Sequence, residues 1–231
     1  MSRILQKKYF VYCANFVIVF FKEDFLERVD TVVAPCPAID DNRRSFPEIV
    51  DGIYLGGEAR LEGLMRWYNR YPRAVYVLVG AKKRPGQRLA EAELAREVFC
   101  RRHRRAQIVV VHTHPCTLHN WLGIFAQQPQ LVRGKHVALS TNLYHGPRAL
   151  ALWENALSMW QIVVGKLPGV FTPSAFLPSE EMLPGYPQPA RRPYLRRRRL
   201  ERQGLEALHA GKYYDGCTGR NVVSVGRGLA V

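Results

Sequence analysis

Four times between residues 50 and 157, a short apolar run gives way to a stretch with helical spacing. The runs are residues 50–56 (VDGIYLG), 74–80 (AVYVLVG), 107–113 (QIVVVHT) and 136–142 (HVALSTN). Runs this short, bounded by turns or charge, suit strands buried on both faces. After the first, Leu61, Leu64, Met65 and Tyr68 recur at three- and four-residue intervals; Leu89, Ala92, Leu94, Ala95 and Phe99 follow the second. Trp121, Leu122 and Phe125 follow the third, and Ala149, Leu152, Trp153 and Leu157 the fourth. Strand and helix alternating at this repeat length imply parallel strands joined by crossovers. The expected fold class is therefore α/β, a Rossmann-like three-layer arrangement with a mainly parallel central sheet.

Residues 46–175 carry this pattern and are assigned as one domain. Residues 1–45 read as an N-terminal extension packing on the core, with a further strand at residues 30–34 (DTVVA) and an apolar stretch at residues 9–21. A fifth strand is placed near residues 170–173. Pro178, Pro184, Pro187, Pro189 and Pro193 then make a connector over residues 176–193 that cannot be continuous helix. Residues 194–231 form a basic helix (194–209) and a tail, a loose segment or a strand-like arm. No apolar run reaches the roughly 20 residues needed to span a bilayer, so a cytoplasmic protein without a transmembrane segment is expected. The five cysteines are scattered and lack a CxxC pair, which fits a reducing compartment rather than a disulfide framework.

In an open parallel sheet, ligands bind beyond the carboxyl ends of the strands. The residues that follow each run are therefore the candidate site. The first ends on Gly56-Gly57 with Arg60 soon after, and the second on Gly80-Ala81-Lys82-Lys83; glycines let backbone amides approach a ligand. Simple turns and solvated lysines account for the same residues. The third ends in His112-Thr113-His114-Pro115-Cys116-Thr117-Leu118-His119-Asn120. Imidazole and thiolate are good zinc ligands, but the spacing matches no finger or protease pattern, and ordinary pocket-lining histidines are the plainer reading. The fourth ends in Ser140-Thr141-Asn142-Leu143-Tyr144-His145-Gly146-Pro147-Arg148. His145 is placed to act as acid or base, and Arg148, one helical turn on, to clamp a carboxylate or phosphate. Capping by Asn142 and exposed charge is the alternative.

At these residues the chain resembles the YdcF/SanA/ElyC-like family, whose shared unit is domain of unknown function 218. Gly56-Gly57 match its first glycine pair, Val79-Gly80-Ala81 a reduced Ser-Gly-Gly, and Glu91-Ala92 the Glu-Ala that opens its next helix. Thr117 and Asn120 match part of its third motif, in which His114, Cys116 and His119 replace Ser, Asn and Glu. Ser140-Thr141 followed by Tyr144-His145-Gly146-Pro147-Arg148-Ala149 look like its final Tyr-His-x-x-Arg-Ala block. The likeness covers about residues 50 to 160. It implies a Rossmann-like fold with a polar pocket and no settled reaction; a nucleotide-like ligand, S-adenosylmethionine being the usual suggestion, and roles in the bacterial envelope are attached to the family. The strand ends and the resemblance together make Gly56, Gly57, Arg60, Gly80, Glu91, Thr117, Asn120, Ser140, Thr141, Tyr144 and Arg148 the expected ligand-binding residues, with His145 as the proton-transfer residue if the ligand is transformed.

Charge opens a second route. The chain carries 34 Lys and Arg against 19 Asp and Glu, a net charge of +15. Such an excess attracts anionic small molecules and polyanions alike. Arg101, Arg102, Arg104 and Arg105 form one cluster; Arg191, Arg192 and residues 196–199 form another beside Tyr194. Phosphate contacts and tyrosine stacking would suit a nucleic acid, though solvated basic segments explain the same runs. A metal-dependent hydrolase using His112, His114 and His119 is a third, lesser reading.

Overall fold

The computed structural model describes residues 28–36, 49–50, 53–54, 57–82, 86–165, 169–170, 172–182, 192–215 and 220–222. In chain order the elements are β1 (Thr31–Pro35), β2 (Ile49–Val50), β3 (Ile53–Tyr54), α1 (Gly57–Arg70), β4 (Val75–Gly80), α2 (Glu91–Arg102), β5 (Gln107–His112) and α3 (Thr117–Gln127). There follow β6 (Val137–Thr141), α4 (Gly146–Val164), β7 (Ala175–Pro178), α5 (Arg192–His209), β8 (Tyr213–Asp215) and β9 (Arg220–Val222). Short 3-10 turns lie at Pro129–Leu131 and Ser179–Met182.

The apolar strands β5-β4-β1-β6-β7 join, in that order, into one sheet whose every pairing is parallel. Counted among themselves in chain order they run 3-2-1-4-5, the order of a doubly wound Rossmann-like sheet. Successive side chains alternate between its faces. Val32, Ala34, Tyr76 and Leu78 face Leu61, Leu64 and Phe99 of α1 and α2. Val33, Val77, Val79 and Leu139 face Trp121, Phe125, Leu152 and Trp153 of α3 and α4. Both faces of the sheet are covered by apolar side chains, which is why the strands read as continuous apolar runs. On the second face Trp153 lies 5.3 Å from Trp121 and 5.0 Å from Phe125, ring centre to ring centre. The buried Trp121 indole donates to the Ala149 carbonyl at 3.0 Å, which joins α3 to α4.

Two strands differ from the sequence reading. The run at residues 50–56 is not the first strand of the sheet: β2 and β3 pair antiparallel with each other, Ile49 with Tyr54 and Val50 with Ile53. The sequence between them, Asp51-Gly52, is a dipeptide favoured in hairpin turns. The first and central strand is Thr31–Pro35 instead, one residue on from the DTVVA segment, and all five of its residues are buried. The fifth strand starts at Ala175, beyond the expected residues 170–173. Thr172 and Pro173 stand before it, and Val170 packs into the second core without joining the sheet. The basic helix is present as α5; of its apolar positions Leu208 is buried, whereas Leu195 and Leu200 are exposed. Late in the chain, β8 and β9 form a separate antiparallel pair. Among the described residues, no helix is long and apolar enough to cross a membrane. The apolar stretch at residues 9–21 lies outside the described residues.

Helix α1 approaches the turn after β7 so closely that a Cβ on Gly63 would lie 2.1 Å from the Ser179 carbonyl oxygen. That neighbour is backbone and cannot swing aside. Gly63→Ala is expected to destabilise the protein by about 1–3 kcal/mol, the usual cost of overpacking. Urea denaturation checks this, and an unchanged midpoint would contradict the close approach.

Candidate functional site

Parallel register brings every strand end to one edge of the sheet. Pro35 is level with Val79, Gly80 with His112, and Thr141 with Pro178, while Val33 is level with Leu139. Cys36 continues this rim, its amide donating to the Val79 carbonyl at 2.6 Å. The chain leaves β1 toward β4 and later crosses to β6 on the other side. The crevice between the ends of β1 and β6 is thus the topological switch point.

Arg60, on the first turn of α1, spans that crevice. Its Nε donates to Asn142 Oδ1 at 2.7 Å and its Nη1 to the Pro35 carbonyl at 3.4 Å, so it touches the end of each strand. Asn142 is fully buried. Beside it the chain turns into α4, where His145 is buried and Arg148 half-buried. Both meet a residue from far along the chain, Glu201 of α5. The Glu201 carboxylate accepts from Arg148 through Nε at 2.5 Å and Nη2 at 3.1 Å, a two-pronged pair, and lies 2.9 Å from His145 Nδ1. Gly204, one turn later on α5, leaves room for Arg148: a Cβ there would come within 3.1 Å of its Cδ.

The charges in this cluster settle unequally. Burial pushes the Glu201 carboxyl up, but hydrogen bonds from His145 and Arg148, with the charge on Arg148, outweigh it and hold the pKa at about 2. Burial drives His145 down; the positive charges of Arg148 and Arg60 add to that, and Glu201 opposes it. His145 is therefore a neutral imidazole near pH 7. A carboxylate can only accept, so the imidazole proton sits on Nδ1 and the basic lone pair is on Nε2. Nε2 makes no hydrogen bond to a described residue.

Two hydroxyls at the end of β6 complete this half of the rim. Ser140 and Thr141 are buried on opposite faces of the strand, and Oγ of the one and Oγ1 of the other have no hydrogen-bond partner among the described residues. Tyr144 is buried between Thr141 and His145 in sequence.

The other half lies at the ends of β4 and β5. An open cleft of about 520 Å³ there is lined by Lys82, Arg88, Glu93, His112 and His114, among others. Gly80 admits the helix behind it: a Cβ would come 3.1 Å from the Ala92 amide nitrogen and 3.1 Å from Cys36 Cβ. Glu91 is buried at the N-terminus of α2, where the helix dipole favours its carboxylate. Asn120 is buried on α3 and accepts a hydrogen bond from Thr113 Oγ1 at 2.7 Å; Thr117 opens the same helix.

Of the residues read from sequence, Arg60, Ser140, Thr141, Tyr144, His145 and Arg148 thus gather at the switch point, and Gly80, Glu91, Thr117 and Asn120 around the β4–β5 ends. Gly57 opens α1 and does not end a strand of the main sheet; Gly56 lies outside the described residues. The Arg148 guanidinium is held by an internal carboxylate. Among the described residues, no group of three His, Cys, Asp or Glu side chains is arranged to hold a metal ion. Sequence reading passed over Glu201, which stands in a run of arginines; a carboxylate on the partly apolar side of that helix was the available signal. No family model matches the chain, and neither the curated proteins nor the solved structures include a match.

Glu201 makes stability depend on pH in a defined direction. Its folded pKa is depressed from 4.5 to about 2, so its contribution is present above about 4.5 and is lost as pH falls toward 2. His145 binds its proton more weakly folded than unfolded, so stability also falls as pH drops below about 6.5. Glu201→Gln is expected to cost about 2–4 kcal/mol at pH 7, because it leaves a partly buried guanidinium without its counter-charge. The same variant should lose less stability than wild type between pH 4.5 and 3. Urea midpoints across pH 3–8 for both proteins measure the two effects.

Proposed function

We propose that the protein binds an anionic, nucleotide-like or phosphorylated small molecule at the switch point, with Arg60 and His145 as its principal contacts. The observation that carries this reading is Arg60, whose guanidinium joins the ends of β1 and β6 at the crevice where open α/β sheets take their ligands. Its Nη2 makes no hydrogen bond to a described residue and is available to a phosphate or carboxylate. The buried hydroxyls of Ser140 and Thr141 support the same reading, since an unpartnered buried hydroxyl costs about 1–3 kcal/mol and a bound polar group would relieve it. His145 is the residue placed to accept a proton through Nε2, with Glu201 fixing its tautomer as carboxylates do in acid–base pairs. Lys82 and Arg88 extend the positive field toward the β4–β5 cleft. S-adenosylmethionine is the nucleotide-like candidate that the sequence resemblance brings, and reaction with it is not part of the proposal.

Thermal shift with AMP, ATP and S-adenosylmethionine as probes tests this. A probe near 100 times its Kd should add about 2.7 kcal/mol, a rise of several degrees in Tm. Arg60→Ala and His145→Ala should each cut that rise by more than half. A shift that survives both substitutions would place the ligand elsewhere.

A second reading, nucleic-acid binding, is favoured by one observation. Arg196, Arg198 and Arg199 on α5 are exposed and form no ion pair among the described residues, whereas Arg101 and Arg102 pair with Glu97 and Glu62. If α5 binds nucleic acid, replacing these three arginines with Gln should flatten the salt dependence of RNA or DNA binding, each lost phosphate contact removing about 0.7–0.9 from the slope. Arg60→Ala should leave that slope unchanged.

A further inference from the structure

The start of α3 brings a nucleophile and a base into contact. Cys116 is the N-cap of α3, and its Sγ lies 2.8 Å from His119 Nδ1. The His119 backbone N–H also points at the sulfur, at 3.4 Å. Cys116 is half-buried and takes part in no disulfide. His114 packs edge-on against His119, with ring centres 5.2 Å apart. His114 and Pro115, the residues just before Cys116, line the β4–β5 cleft, whose charged and titratable side chains are Lys82, Arg88, Glu93, His112 and His114.

We propose that Cys116 is a nucleophilic cysteine with His119 as the base that takes its proton, and that small electrophiles are captured there covalently. Three features favour the thiolate. An imidazole nitrogen in hydrogen-bond reach takes the thiol proton, and the N-terminus of an 11-residue helix favours negative charge on its cap. Cations also outnumber the one carboxylate around the neighbouring cleft. This is the nucleophile–base geometry of covalent catalysis. In the reaction the sulfur lone pair forms a bond to the electrophilic carbon, and the bond from that carbon to the leaving group breaks. The leaving group departs with the bonding pair, and the proton on His119 Nδ1 neutralises it or passes to solvent. The cationic lining suits an electrophile that carries an anionic group. The pair is separate from the Arg60–His145 crevice, so this inference stands whether or not that crevice binds a nucleotide.

Iodoacetamide on the full chain is the probe, with S–C formation and iodide release read site by site by peptide mass spectrometry. An ordinary thiol loses reactivity about 50-fold between pH 8.5 and pH 6.5, following its thiolate fraction. Cys116 should lose less than about threefold over that range, and at pH 6.5 it should react at least tenfold faster than the half-buried Cys100. His119→Ala should restore the steep profile and cut the rate at pH 6.5 by about tenfold. A merely structural helix cap would leave the slope of the profile unmoved. A 50-fold loss at Cys116 in the unaltered protein overturns the proposal without recourse to any variant, and so does a flat profile that persists in a folded His119→Ala protein.

Discussion

β1 is hydrogen-bonded in parallel on both sides, to β4 along five residues and to β6 along three. A strand in that position must present apolar side chains on both faces and must point the same way as its neighbours. From those two demands the rest follows. Side chains at 32 and 34 seed one core and Val33 the other, and each face then needs its own layer of helices. The shared direction brings five carboxyl ends to one edge, and the change in winding on either side of β1 opens a crevice there.

Arg60 depends on this geometry most directly. Its two hydrogen bonds end on Pro35 and Asn142, residues more than a hundred positions apart that only the pairing of β1 with β6 brings together. His145 inherits its place from the same strand through the turn that opens α4, and its proton is positioned by a carboxylate from α5. The cluster is ordered by contrast between environments: the carboxylate keeps its charge because two donors surround it, and the imidazole loses its charge because burial dominates.

Much of this was readable in the chain. Apolar runs bounded by turns marked β4, β5 and β6, since a strand buried on both faces leaves an uninterrupted hydrophobic signature. The polar residues after β6 marked the rim, because a helix start that gathers hydroxyl, amide and imidazole is unusual. DTVVA was less legible than VDGIYLG, although only the former supplies a strand of the main sheet. It is short and is followed by Pro35 and Pro37, whereas the latter is longer, and pairing partners are invisible to periodicity. Arg60 was found because it closely follows the Gly56-Gly57 pair, but its bridge was not, because that needs β1 at residue 31. Glu201 left almost no trace, since tertiary contact alone distinguishes it from a carboxylate neutralising its neighbouring arginines. The Cys116–His119 contact was implicit in a three-residue spacing that becomes meaningful only once α3 is known to start between them.

Glu201 follows every strand of the main sheet in the sequence, and so does Leu208, which packs into the second core from the same helix. One helix thus supplies both a piece of the apolar packing and the carboxylate that orders the His145 proton. Loss of α5 would strip the polar centre and thin the core together.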